Sequence, residues 1–227
     1  MSVSKWTTSL AAGLSLVALG AASPALAQDE TEKAIAALQE TYSEGITAYQ
    51  NEDYETSFEK IKPVAEAGSA NAQYMMGRHF YFGTGVEKDL AKAAEWYEMA
   101  AEQGHVDSQY NLGVMYRDGM GVEQSYEDAH KYFKAAGDQG NHEALFNVGM
   151  IYDQGMGVEK DLETAREWFE KAADAGSNLA MYNLGVYAYQ GLGGMEASPE
   201  TAKDWFQKSA DAGNAEAKEA LKIVEEG

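Results

Sequence analysis

Apolar residues recur along this chain with a period that predicts amphipathic helices. In the segment 140–175, Ala144, Phe146 and Val148 follow the opening glycine at spacings that place apolar side chains on one helical face. The same pattern begins at Gly68, Gly104 and Gly176, and a partial copy begins at Gly213. The opening glycines are therefore 36, 36, 36 and 37 residues apart. Helical hairpins of this length cannot bury their apolar faces alone, so they must stack on one another.

Each copy carries one glycine inside its first helix and a G-x-G turn after that helix. The inner glycines are Gly77, Gly113, Gly149 and Gly185. A glycine inside a helix costs up to about 1 kcal/mol against alanine, so we interpret these residues as permitting close approach of a neighbouring helix. The turns begin at Gly83, Gly119, Gly155 and Gly191, where glycine supplies the left-handed backbone that ends a helix. No predicted strand precedes them, so the pattern does not indicate a nucleotide-binding loop.

The second helix of each copy is predicted to begin at a capping residue 15 positions before the next opening glycine. The caps are Asp53, Asp89, Ser125, Asp161 and Ser198. Pro199 then occupies the first helical position, which proline tolerates. Because the caps keep this register, the extra residue of the 37-residue copy falls in the loop 194–197. Behind the caps lie four aromatic pairs that we interpret as core: Trp96–Tyr97, Tyr132–Phe133, Trp168–Phe169 and Trp205–Phe206.

This pattern resembles the Sel1-like repeat family, a branch of the tetratricopeptide-type helical repeats. The resemblance rests on A-x-x-Y-x-L-G-x-x-Y-x-x-G-x-G-V-x-x-D, followed by A-x-x-W-[YF]-x-x-A-A-x-x-G. The chain meets this pattern almost position by position from Ala144 to Gly176, and the resemblance covers about residues 41–220. It implies an all-α fold, a right-handed α-solenoid of stacked antiparallel helical hairpins, with the first helix of each pair lining the concave surface. Because the family mostly scaffolds complexes, it also implies a protein-binding function in a secreted bacterial protein.

The repeats predict seven segments. They are 1–27, a signal peptide; 28–67, an acidic lead-in and a tetratricopeptide-like hairpin; 68–103, 104–139, 140–175 and 176–212, four Sel1-like repeats; and 213–227, a capping helix. Within 28–67, helices are predicted over Ala34–Gln50 and Tyr54–Ala67. Pro63 lies inside the second of these helices and is expected to kink or shorten it.

The first 27 residues have the features of a Sec-type signal peptide. Lys5 supplies the positive charge, residues 10–22 the apolar region, and Ala25–Ala27 the cleavage site. The apolar run is shorter than the roughly 20 residues that span a bilayer. We therefore expect cleavage after Ala27 and a periplasmic or secreted protein without membrane insertion, with an uncleaved anchor as the alternative. The sequence has no cysteine, which excludes lipid attachment through cysteine, disulfides and thiol chemistry.

The chain is strongly acidic, with 37 acidic and 17 basic residues and a formal net charge of −20. Such a charge disfavours nucleic acids and anionic membrane surfaces as partners. Solubility alone explains the charge; a basic or cationic partner is the alternative explanation. We predict a monomer that binds a protein or peptide.

Helical periodicity places a set of first-helix side chains on the predicted concave face, where they are expected to bind the partner. These are Asn71, Arg78, Tyr81, Asp107, Asn111, Arg117, Glu143, Asn147, Asp153, Asn183 and Tyr189. The three asparagines Asn111, Asn147 and Asn183 form a ladder whose amides both donate and accept hydrogen bonds, which suits an extended peptide backbone. The alternative is that asparagine is simply common in this family column. Arg78 and Arg117 are candidates for clamping a terminal carboxylate, as some related repeats do.

The sequence shows no catalytic or metal-binding motif, so we predict no catalytic residues, no cofactor and no metal. The histidines His79, His105, His130 and His142 lack ligand spacing. Neither G-x-S-x-G nor S-x-x-K is present. The loops 86–89 and 158–161 lack the alternating carboxylates of a calcium loop.

The leading hypothesis is a periplasmic, non-enzymatic scaffold or adaptor. One alternative is a cell-envelope carbohydrate factor, active in exopolysaccharide assembly or peptidoglycan contact, because sugars stack on tyrosines such as Tyr81 and Tyr189. Another is a β-lactamase-like hydrolase, because some cysteine-rich members of the family have been linked to β-lactam hydrolysis. The absence of cysteine separates this sequence from those members.

Overall fold

The structure is a computed structural model that describes residues 24–226. These residues form eleven helices joined by turns. The helices are α1 (Pro24–Gln50), α2 (Tyr54–Glu66), α3 (Ala70–Phe82), α4 (Leu90–Glu102), α5 (Val106–Asp118), α6 (Tyr126–Gly137), α7 (His142–Gln154), α8 (Leu162–Asp174), α9 (Asn178–Gln190), α10 (Pro199–Asp211) and α11 (Ala215–Glu226).

The chain divides into two compact units. The first contains the described residues up to Ser108 together with Met120–Val122, and the second contains Gln109–Gly119 and the residues from Glu123 onward. In the first unit α1 packs against α2 and α3 against α4. In the second, α7 packs against α8 and α9 against α10. Consecutive helices therefore form hairpins, as the repeat length predicts.

The five predicted caps all begin their second helices. Each side chain accepts a hydrogen bond from the backbone N–H three residues later, at 3.0–3.3 Å. A further column of caps begins the first helices and was not recognised in the sequence. Its members are Ser69, His105, Asn141, Ser177 and Asn214. Each side chain accepts a hydrogen bond from the backbone N–H three residues later. Both helices of a repeat thus start at a side chain that satisfies a free first-turn amide.

The G-x-G loops combine a helix stop with a packing contact. Gly155 ends α7 with a φ of 70°, as predicted. Gly157, the second glycine, also has a φ of 70°, and a Cβ built on it would lie 2.6 Å from Tyr126 Cβ at the start of α6. The second glycine therefore lets the loop lie against the preceding second helix. The loop between α9 and α10 spans residues 191–198, one residue more than 155–161, which confirms the predicted position of the extra residue.

The glycines inside the first helices make room for aromatic rings. A Cβ built on Gly149 would lie 2.6 Å from both Cδ1 and Cε1 of Phe169. Gly113 stands in the same relation to Phe133. The predicted close approach is confirmed, and the group that approaches is a ring of the second helix in the same hairpin. The second residue of each aromatic pair is buried, whereas the first is only half-buried in the three pairs that begin with tryptophan; in Tyr132–Phe133 both residues are buried.

The first helix begins earlier than predicted. The sequence favoured a start at Ala34, but α1 begins at Pro24. Its acidic first part is held by hydrogen bonds between residues four apart, from Gln28 Nε2 to Glu32 Oε1 (3.1 Å) and from Lys33 Nζ to Asp29 Oδ2 (2.7 Å). Such pairs stabilise a helix without any tertiary contact. Apolar periodicity therefore did not indicate that the helix includes the residues before Ala34.

Pro63 lies inside α2 and does not shorten it, which leaves a kink as the predicted effect. The helix runs on to Glu66 and has 13 residues, as many as α3. Residues 1–23 of the predicted signal peptide lie outside the described residues, and residues 24–27 start α1. Within 24–226, no helix combines the length and the hydrophobicity that crossing a membrane requires.

Candidate functional site

The predicted binding residues of the second unit lie on α5 (Asn111 and Arg117), α7 and α9. We call the surface formed by those of α7 and α9 with their neighbours the α7–α9 face. It comprises Glu143, Asn147, Met150, Asp153, Leu179, Asn183, Val186 and Tyr189. Leu179 and Tyr189 are 48% and 47% exposed, while Asn147, Met150, Asn183 and Val186 are half-buried. The face therefore offers apolar and amide groups to a ligand.

Two amides of the predicted asparagine ladder are already engaged within the protein. Asn147 Oδ1 accepts a hydrogen bond from Arg117 Nη1 at 2.7 Å, and Asn147 Nδ2 donates to the Glu143 carbonyl oxygen at 2.7 Å. Asn183 Nδ2 donates to Met150 Sδ at 3.7 Å. An amide oxygen has two lone pairs and an amide nitrogen two protons, so each side chain keeps part of its capacity. Asn111, the third member, is half-buried.

Arg117 is committed to its neighbour in sequence. Its Nε and Nη2 donate to Asp118 Oδ1 and Oδ2 at 2.7 and 2.8 Å, which is a bidentate pair. This pair holds the pKa of the Asp118 carboxyl below its usual value. Because Nη1 bonds Asn147, the guanidinium presents no open fork to a ligand. A ligand carboxylate would have to replace Asp118 or Asn147 to bind the Arg117 guanidinium, and the predicted clamp stays a prediction.

Asp153 is joined to α9 by a short hydrogen bond. The Tyr187 hydroxyl donates to Asp153 Oδ1 at 2.5 Å, and this contact links residues that are 34 positions apart. Burial, followed by the bond to Asp153, raises the pKa of Tyr187. This bond fixes a half-buried carboxylate near the end of α7.

The predicted residues of the first unit lie in a different environment. The Arg78 guanidinium carbon lies 4.9 Å from the centroid of the Tyr49 ring and 5.9 Å from that of Phe82, which is a cation–π arrangement. Tyr81 donates from its hydroxyl to Met120 Sδ at 3.8 Å. Asn71 is half-buried and Asp107 is exposed. Arg78 is the one lysine or arginine of α3, so its packing on aromatic rings does not build a clamp of several basic groups.

One histidine lies in a fully buried hydrogen-bonded pair with a serine. Ser57 Oγ lies 3.1 Å from His79 Nε2, and His79 Nδ1 lies 2.6 Å from the Thr84 carbonyl oxygen. Burial lowers the pKa of His79. Ser57 and His79 are both 0% exposed, so a substrate does not reach them and the pair joins α2 to α3 as a core contact. His105 serves as a cap, and residues 24–226 hold no group of three side chains that could bind a metal ion.

The buried ring of His130 is expected to lower the stability of the folded protein. Its Nε2 is buried without a hydrogen-bond partner in the described structure, and its ring lies edge-on to Tyr152 with centroids 5.5 Å apart. We expect His130→Phe to keep the ring contact and to stabilise the protein at pH 7.5 by about 1 kcal/mol, because an unpaired buried nitrogen is removed. The measurement is the urea unfolding free energy.

The same substitution has a predicted pH dependence. Burial, and then the charge of Lys134, lowers the pKa of His130 in the folded state. Below the unfolded-state pKa of about 6.5 the unfolded chain binds more protons at this site, so the wild type loses stability as pH falls. The advantage of His130→Phe should therefore be larger at pH 5 than at pH 7.5. An advantage that shrinks at pH 5 would contradict this assignment, and the comparison cancels the effect of overall charge.

The chain is similar to known proteins that are built from helical repeats. The sequence model of the Sel1 repeat matches residues 70–105, 106–141, 142–177 and 178–214. A protective antigen of uropathogenic Escherichia coli with an SLR fold is 28% identical, with a TM-score of 0.79 over 87% of this chain and 44% of its own. This chain thus spans less than half of that relative. No curated protein sequence matches the chain.

A second structure extends the comparison. A Sel1 repeat protein from Oxalobacter formigenes is 30% identical, with a TM-score of 0.73 over 80% of this chain and 72% of its own. Together with the consecutive hairpins, these likenesses confirm the predicted fold class, an all-α solenoid of stacked helical hairpins.

Proposed function

This chain belongs to the Sel1 repeat family, and we propose that it is a periplasmic, non-enzymatic scaffold that holds a protein or peptide partner on its first helices. Members of this family generally serve as protein–protein interaction scaffolds. A periplasmic or secreted location rests on the predicted signal peptide and its cleavage after Ala27. The proposed partner is a protein or peptide bound by a monomer, without nucleic acid and without membrane insertion.

The observation that carries the proposal is the composition and exposure of α9. This helix of 13 residues contains no charged side chain. Leu179 near its start and Tyr189 near its end are about half exposed, and Asn183 and Val186 lie between them. A surface without charged groups, with exposed apolar side chains and an amide that can hydrogen-bond a partner, suits the centre of a protein interface.

Photo-crosslinking in intact cells tests the proposal. A benzoylphenylalanine at Leu179 should form an adduct with one defined protein of the periplasm. The matched control places the same group at Glu167, an exposed residue of the second helix α8. Replacing Asn183 and Tyr189 together by alanine should lower the adduct at Leu179 by about tenfold or more, since a few central side chains carry most of the binding energy of an interface. The thermal unfolding midpoint of this variant serves as the folding control.

Several outcomes would contradict the scaffold. Equal adducts at Leu179 and Glu167 would assign the capture to nonspecific contact. Adducts that carry glycan and no protein would favour the carbohydrate alternative. Adducts that form only after cell lysis, with cytoplasmic proteins, would contradict the proposed location.

A further inference from the structure

Within the second unit, lysine and arginine are absent from α7 and α9 but present in the helices that follow them in the sequence and in α11. The first helices α7 and α9 contain no lysine or arginine. The second helices α6, α8 and α10 contain Lys131, Lys134, Arg166, Lys171, Lys203 and Lys208. Arg117 of α5 reaches this face through its hydrogen bond to Asn147, and its charge is paired with the Asp118 carboxylate. The α7–α9 face is therefore bordered by no free positive charge from its own helices.

The same face carries two carboxylates that lack a lysine or arginine partner within the described residues. Glu143 is exposed near the start of α7, and Asp153 is half-buried near its end. Among the ion pairs of residues 24–226, none joins either carboxylate to a lysine or arginine. Glu143 Oε2 lies 3.7 Å from His142 Nε2. Asp153 instead accepts the Tyr187 hydroxyl. The two carboxylates thus lie near the two ends of α7, with the half-buried Asn147 and Met150 between them along the helix.

The distance between these carboxylates determines how far apart two basic groups of a ligand must lie. With a rise of 1.5 Å per residue, Glu143 and Asp153 lie about 15 Å apart along the helix axis. An extended peptide advances about 3.3 Å per residue, so the same distance corresponds to about four to five residues. The half-buried Met150 and Val186 between them form an apolar floor that adapts to different side chains.

We propose that the α7–α9 face binds an extended peptide segment of the partner that carries two basic side chains about four or five positions apart, with apolar residues between them. This inference rests on the proposed scaffold function and names the class of its ligand. The basic groups pair with Glu143 and Asp153, and the apolar residues contact Met150 and Val186. The formal charge of −20 on the whole chain attracts the same class of partner and speeds its encounter.

Titration of the signal-free chain with labelled model peptides tests this inference by fluorescence anisotropy. The probe is an acetylated, amidated ten-residue peptide with two lysines five positions apart and leucines between them. We expect it to bind about tenfold or more tightly than the same peptide with glutamates in place of the lysines, since one charge-assisted hydrogen bond is worth roughly that factor. A peptide with adjacent lysines should bind more weakly than the probe, because it reaches only one carboxylate.

A matched pair of double variants separates local from overall charge. Glu143→Gln with Asp153→Asn should weaken the probe by about tenfold or more, while the amide introduced in place of the Asp153 carboxylate would keep an oxygen for the Tyr187 hydroxyl. Glu167→Gln with Asp174→Asn removes the same charges from exposed positions of α8 and should leave the affinity within about twofold, since surface charges far from the ligand are screened.

The inference would be overturned by equal losses in both double variants, by equal affinity for the lysine and glutamate peptides, or by no binding of the lysine probe at about 1 mM peptide, the weak limit of a measurable complex. These failures are distinct from failure of the scaffold proposal. A specific protein adduct at Leu179 together with charge-insensitive peptide binding would keep the scaffold and reject the cationic ligand. Absence of both would reject the two together.

Discussion

Replacing Phe169 by alanine is expected to destabilise the second unit by about 3–5 kcal/mol, the largest effect that we predict for a single substitution. Phe169 is 0% exposed and lies in a core cluster with Leu145 and Leu184 from the neighbouring first helices. Its ring meets that of Tyr187 edge-on, with centroids 5.6 Å apart. The truncation therefore leaves a cavity between α7, α8 and α9. Urea unfolding followed by circular dichroism measures the loss.

The neighbouring tryptophan is the matched control for this substitution. Trp168 is half-buried, and Lys171 Nζ lies 4.1 Å from the centroid of its ring on the surface of α8. Because much of the Trp168 ring already contacts water, Trp168→Ala should cost clearly less than Phe169→Ala. A tryptophan substitution as costly as that of Phe169 would show that the wrong member of the aromatic pair has been assigned to the core.

Features that depend on a few adjacent residues could be predicted from the sequence. Asp161 begins α8 as a cap because its side chain needs only the N–H of Thr164, three residues later. Gly155 ends α7 because a left-handed residue is required there and glycine adopts that conformation without strain. The same local logic applies to His105, which caps α5. It was missed because histidine is a rare cap, although it occupies the column of Ser69 and Asn141.

The sequence could not rank the two residues of an aromatic pair. Trp168 and Phe169 are both apolar and stand next to each other, so they point about 100° apart on the helix. Periodicity locates the buried face of a helix only approximately, and both side chains lie close enough to that face to be candidates for the core. In the structure, Gly149 identifies Phe169 as the core residue, because the space left by the missing side chain of Gly149 is occupied by the Phe169 ring.

Periodicity also predicted which helices carry the candidate site, but it did not predict the state of each side chain. The Asn147–Arg117 and Asp153–Tyr187 hydrogen bonds join residues 30 and 34 positions apart, across successive repeats. Such contacts depend on how one hairpin stacks on the next, and no local pattern encodes that distance. The sequence shows that Arg117 and Asp118 are adjacent residues of opposite charge. Whether they form a bidentate pair depends on the rotamers of both side chains, which the sequence does not specify.

Gly149→Ala is expected to destabilise the protein by about 1–3 kcal/mol, although alanine is the better helix former. The added Cβ would lie 2.6 Å from two carbons of the Phe169 ring and 3.3 Å from the Ala165 carbonyl oxygen. Phe169 is fully buried, so its ring has no free space to move into. The resulting overpacking outweighs the gain in helix propensity of up to about 1 kcal/mol. The urea unfolding free energy again measures the change.

A double-mutant cycle with Phe169→Leu shows whether the ring is the reason for the glycine. Leucine lacks Cε1 and the rigid ring, and its Cδ carbons can rotate away from the new Cβ. Gly149→Ala should therefore cost less in the Phe169→Leu background, with a coupling energy of about 0.5–3 kcal/mol. An equal cost in both backgrounds would mean that the glycine serves the backbone rather than the ring. Because Gly113 faces Phe133 and Gly185 faces Phe206 in the same way, the coupling should recur in each repeat of the second unit. Each such glycine then persists because the ring beneath it fills the core of its hairpin, which leaves the outer side of the first helix free for a partner.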